Sequence, residues 1–166
     1  MAATVEICES NTVSETITHN VTNLNWGNSD APNLAYASYP VTAGNNAFIK
    51  YDRLHVTAMG GSNKIDNTQI FKSAGGYVTG EGIQTCLRTS GYTAVTYATP
   101  VTTTYTDQVM PIADPAAANL GIAGSLAGSL TAIGYTDYWK WQTQTTGSTP
   151  PGNTAQKTFT IQYDEQ

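Results

Sequence analysis

Charge is what this chain lacks most. Charged residues make up only 11% of its 166 residues, with seven Lys and Arg against twelve Asp and Glu and a net charge of −5. An ordinary globular domain carries about 25% charged residues. The basic residues stand singly, so no stretch could neutralise a row of phosphates, and a nucleic-acid partner is not expected. No apolar run approaches the about 18 residues that a membrane-spanning helix needs, which argues against a membrane partner. No positively charged start leads into an apolar segment, so no signal peptide is read. Cysteine is nearly missing too: Cys8 and Cys86 are the two in the chain and form no Cys-x-x-Cys pair. Without a secretion signal, two separate reduced thiols are expected, from synthesis in a reducing cytoplasm.

Catalytic signatures are also missing. The sequence has no GxSxG, no HExxH, no P-loop and no GxGxxG following a strand. His19 and His55 fall in separate segments with no acidic cluster beside them in sequence. A metal set or a catalytic dyad needs a third group, so no metal, cofactor or catalytic residue is assigned. Glycoside hydrolysis needs two facing carboxylates, yet Glu6, Glu9, Asp66, Glu81, Asp164 and Glu165 all lie near turns or termini. The expectation is a protein that is not an enzyme.

What fills the gap is threonine, serine, asparagine and glycine, with ten tyrosines. Threonine and tyrosine suit the pleated surface of a strand. Residues 1–12 hold few large apolar groups and read as an N-terminal arm or an edge strand; residues 13–166 form the domain. Val13, Glu15, Ile17, His19 and Val21 alternate with Thr and Ser, the pattern of a half-buried strand. "AFIKYDRLHVTAM" (47–59) is the strongest strand, with Phe48, Leu54, Val56 and Ala58 in one register and Ile49, Tyr51 and Met59 in the other. Further strands are read in "KIDNTQIFKS", "IQTCLRT", "GYTAVTYATPVTTTY" with a break at Pro100, "DYWKWQTQTT" and "FTIQYDEQ". "GGSN" and "AGGYVTGEG" are the turns between some of them.

Seven to nine short strands predict an all-β, single-domain antiparallel β-sandwich, jelly-roll or immunoglobulin-like. The small, uncharged stretch at 114–134 breaks the pattern. Asp114-Pro115 could cap a short helical turn, but Gly121, Gly124 and Gly128 disfavour a long helix, so a long loop or short helical turn is predicted, buried in the domain or against a neighbour.

Tryptophans are the remaining candidates for a site. In "LNWGNSDAPNL" (24–34), Trp26 could stack on a sugar, or plug the end of the sandwich. Asn25, Asn28, Asp30 and Asn33 offer oxygens to calcium, but one carboxylate is too few, and such residues also shape turns. Trp139 and Trp141 in "YWKW" share one side of a strand, as core or as an interface. Trp26, Trp139 and Trp141 are therefore the candidate interface or surface-binding residues.

Four stretches together resemble the small structural proteins of tailed bacteriophages. They are "NLNWGNSDAPNLA", "YPVTAGNNAFIKYDRLHVTAMGGSNKIDNTQIFKS", "PVTT…PIADPAAANLGI…GYTDYWKWQTQ" and "FTIQYDEQ". The shared pattern is an N-x-G-x-x-D-x-x-N loop, a PV-x-AG-x-N-x-x-x-K turn and strand, an SN-x-I-x-N turn and a C-terminal Y-D/E-E. The resemblance implies a virion protein, made in the host cytoplasm, that decorates the capsid exterior. Its implied partners are the major capsid protein and its own copies, with a trimer favoured. The alternative it leaves open is a carbohydrate- or receptor-binding module of a tail or head fibre.

Overall fold

The computed structural model describes residues 1–95, 107–152 and 154–166, with backbone alone over 107–109. Nine strands are described: β1 (Thr4–Asn11), β2 (Thr16–Thr18), β3 (Lys50–Ala58), β4 (Ile65–Ala74), β5 (Glu81–Thr89), β6 (Asp107–Val109), β7 (Gly134–Tyr135), β8 (Tyr138–Thr145) and β9 (Thr158–Glu165). The chain is all-β, and every strand pairing is antiparallel. One sheet of seven strands runs β2-β1-β3-β8-β5-β6, with β7 also on β3; the second sheet is the β4–β9 ribbon.

Alternation along the strands explains how the two sheets meet. In β3, Leu54 turns inward and Tyr51 outward; in β8, Trp139 and Trp141 turn inward and Tyr138 outward; in β5, Ile83 and Leu87 turn inward and Cys86 outward. The inward set joins Ile70 of β4 and Phe159, Ile161 and Tyr163 of β9 in one core between the sheets. The outward set, Ile49, Tyr51, Cys86 and Tyr138, forms a second cluster, covered in part by Tyr92 and Val95. Both faces of β3 are therefore packed, as its two apolar registers predict. Inside β4, Asn67 takes a left-handed φ of 48° where the β4–β9 register shifts, the backbone signature of a bulge.

Three sequence expectations are corrected. Residues 1–12 are neither arm nor edge: β1 lies between β2 and β3, with Cys8, Glu9, Ser10 and Asn11 buried. Polar residues there misled because their partners lie far away in sequence. The strand read over 13–21 shrinks to β2, since residues 12–15 form a tight turn with Glu15 at φ 54° and Val13 exposed. Of the strand read over 91–105, residues 91–95 are not strand, and residues 96–106, Pro100 included, lie outside the described residues.

The 114–134 stretch is the long loop, without a helical turn, and only Leu120, Gly121 and Ile122 are buried within it. It runs along the free edge of β4. The Asn119 side chain brackets Ile70, accepting its N–H at 2.8 Å and donating to its carbonyl at 2.9 Å. Leu130 and Ile65 exchange backbone hydrogen bonds at 2.9 Å. A Cβ at Gly121 would come within 2.3 Å of Asp137 Oδ2 and 2.6 Å of Arg88 Cγ, so a larger residue there would displace both side chains.

Candidate functional site

Neither Trp139 nor Trp141 is a surface group: both are 0% exposed. They stand edge to face at 6.0 Å, and the Trp141 indole N–H donates to Asp52 Oδ2 at 2.5 Å. The surface-binding reading of these two is corrected, because their register on β8 points them between the sheets. Trp26 is half-buried, with its ring edge-on to Trp141 at 4.9 Å and to Phe159 at 5.9 Å. It closes over the core where the 24–34 loop meets β3, and Phe48 donates its N–H to the Gly27 carbonyl at 2.9 Å.

Several polar groups of that loop bond to the chain itself, as turn-shaping residues do. Asn25 donates to the Leu34 carbonyl at 2.9 Å. Asp30 accepts from Asn11 Nδ2 and from the Thr12 N–H, each at 2.8 Å. Asn33 Oδ1 accepts from the backbone N–H groups of Thr22 and Asn23 at 3.0 and 3.1 Å.

Between the sheets lies a buried polar group that the sequence did not reveal. Glu9 and Asp52 are direct cross-strand partners of β1 and β3. Lys50 Nζ donates to Glu9 Oε1 at 2.6 Å and to the Ala31 carbonyl at 3.3 Å, so the ion pair also anchors the 24–34 loop. Burial is the main force that raises the Asp52 carboxyl well above its ordinary range, and the Glu9 charge adds to it; Lys50 and the Trp141 hydrogen bond oppose them. Burial also raises Glu9, against the pull of Lys50.

On the outer face of the large sheet a second constellation forms. Period-two alternation places Glu6 and Cys8 on one side of β1, and Glu6 is paired directly with His55 of β3. His19 follows β2 and folds back over the same face. Glu6 Oε1 contacts Nδ1 of both His19 and His55 at 2.6 Å, and Cys8 Sγ lies 3.4 Å from His19 Nδ1. The two imidazoles meet edge to face at 5.5 Å, and His55 stacks on Tyr135 at 4.1 Å. Tyr135 is covered in turn by the Arg53 guanidinium, 3.8 Å from its ring centre.

Hydrogen bonds from His19 and then His55 hold the Glu6 carboxyl below its usual value. Burial, helped by the Glu6 charge, pushes the Cys8 thiol up to about 12. A nucleophilic cysteine needs the opposite shift, so a Cys–His dyad is disfavoured despite the short contact. Neither cysteine is in a disulfide, as expected, and both are buried. The expectation that the two histidines have no acidic partner is overturned: Glu6 lies between them, brought there by strand pairing. The alternation in "VEICES" was the available signal, placing Glu6 and Cys8 on one face. That β3 and the residue after β2 deliver a histidine each to that face is set by non-local register.

No known protein family, curated protein or solved structure matches this chain.

Proposed function

We propose that this protein is a non-enzymatic virion structural protein that decorates the exterior of an assembled phage capsid and stabilises it by bridging capsid subunits. One observation carries the reading: the residues that make up the phage-like pattern are used up in building the scaffold. Asn25, Gly27, Asp30 and Asn33 shape the Trp26 loop. Lys50, the last residue of the PV-x-AG-x-N-x-x-x-K pattern, holds Glu9 and the Ala31 carbonyl. The SN-x-I-x-N turn is bound to the C-terminal Tyr-Asp-Glu: Ser62 donates to Glu165 at 2.7 Å and Asn67 to Asp164 at 3.1 Å. A pattern spent on shape suits a protein whose work is to present a rigid surface.

The surface chemistry is compatible with that work. Its exposed face is poor in charge, and Val13, Ile112 and Ile133 stand exposed as uncommitted apolar side chains. Buried against neighbouring subunits of the major capsid protein, such groups would stabilise only the assembled shell. A homotrimer would multiply each weak contact through multivalency. The carbohydrate-binding alternative keeps Trp26 alone of its three tryptophans. The test is to heat virions with and without the protein and to locate it by electron cryomicroscopy. Expected are density on the capsid exterior and earlier genome release from particles lacking it. Density confined to the tail, or unchanged release, would overturn the proposal.

A further inference from the structure

We propose that Glu6, Cys8, His19 and His55 form a binding site for a divalent transition-metal ion of the zinc class. Each offers one ligand atom, and the four atoms lie within 4.8 Å of one another. Zinc holds oxygen, nitrogen and sulfur at about 2.0–2.3 Å, which puts the corners of its tetrahedron about 3.3–3.8 Å apart. The Cys8–His19 separation of 3.4 Å already fits. The two Glu6–His contacts at 2.6 Å must open by less than about 1 Å, a side-chain adjustment that leaves the strands in place.

Rigidity favours the site. Three of the four ligands stand on the paired strands β1 and β3, and stacking on Tyr135 fixes the plane of the His55 ring. The His19 side chain is 46% exposed and opens the path for the ion, whereas Cys8 is 1% exposed and closes the inner side. Thiolate and imidazole select zinc, cobalt(II), nickel or copper(II) over magnesium and calcium. The carboxylate and the thiolate together balance the charge of a dication. On binding, the thiol proton passes to solvent and each imidazole keeps its proton on Nε2. Because hydrogen bonds already join these side chains without metal, the ion adds to a folded domain, tying His19 and the β2 edge to β1 and β3. The inference is independent of where the protein sits in a virion.

Cobalt(II) is the direct probe, added to chelator-treated protein. One equivalent is expected to give tetrahedral visible bands and a thiolate-to-cobalt charge-transfer band, both displaced by zinc. Cys8→Ser removes the charge-transfer band, and Cys86→Ser, at the other buried thiol, keeps it. His19→Ala removes an exposed side chain outside β1 and β3 and should fold normally. It should lower zinc affinity by more than the about ten- to hundredfold that loss of an outer-sphere partner costs. Zinc should raise the melting temperature of the native protein, as any ligand specific to the folded state does, while magnesium leaves it unchanged. No charge-transfer band, a band that survives Cys8→Ser, or an equal zinc shift in His19→Ala would each overturn the assignment.

Discussion

Replacing Asp52 by asparagine should stabilise this protein at neutral pH, and the gain should grow with pH. Asp52 is 0% exposed, faces Glu9 across the β1–β3 ladder, and accepts a hydrogen bond from Trp141. Its Oδ1 and the Oε2 of Glu9 have no hydrogen-bond partner among the described residues. One lysine thus stands against two buried carboxyls. Ionising both would leave an uncompensated charge between the sheets, so burial holds the Asp52 carboxyl well above the about 3.9 of the unfolded chain. The native carboxyl is raised, so stability is full below the unfolded value and declines as pH climbs toward the native one. Each unit of that rise is worth about 1.4 kcal/mol.

Asparagine keeps an oxygen for the Trp141 N–H, turns an N–H toward Glu9, and never ionises. Replacing buried charge by neutral groups of similar shape gains about 1–4 kcal/mol in favourable cases, and that is the range expected at about pH 8. In a domain of this size, each kcal/mol moves the melting temperature by about 2–4 °C. The assay is urea unfolding of both proteins at about pH 5 and about pH 8, with the m-values checked for equality. A gain that is no larger at the higher pH would refute the reasoning. So would a loss of stability at pH ~8, which would mean that Asp52 is ionised and needed so.

Two further substitutions probe the scaffold. Gly27→Ala places a Cβ 2.5 Å from the Tyr39 carbonyl oxygen, inside the loop that seats Trp26; a loss of about 1–3 kcal/mol is expected in chemical unfolding, with reduced tryptophan burial by fluorescence quenching. Asn119→Ala strips both hydrogen bonds from the edge of β4 at buried Ile70. It should cost about 1–3 kcal/mol and raise amide exchange at Ile70 well above that of Leu54 on β3.

How much of this was legible in the chain depends on the range of each interaction. Strands β3, β4, β5, β8 and β9 announced themselves through local alternation, because the choice of face is made by residues two apart. That Trp139 and Trp141 share one face followed from the same rule, but which face is inward did not. The rule assigns residues to two faces, and only the partner sheet decides which face is sealed. β1 failed for the complementary reason. Its Glu6, Cys8, Glu9 and Asn11 look like surface residues until β2, β3 and the 24–34 loop supply partners 13 to 49 positions away in sequence, as for His19 and His55 on Glu6. One alternating strand thus feeds two different polar assemblies. Glu9 turns inward to Lys50 and Asp52, where pairing offsets part of the cost of burial and both carboxyls are raised above their ordinary range. Glu6 and Cys8 turn outward to two histidines, where the same strand geometry gathers metal-ligand chemistry. A chain with so few charges has placed several of them on adjacent strands, and there composition could not reveal them, because only the β1–β3 register brings them together.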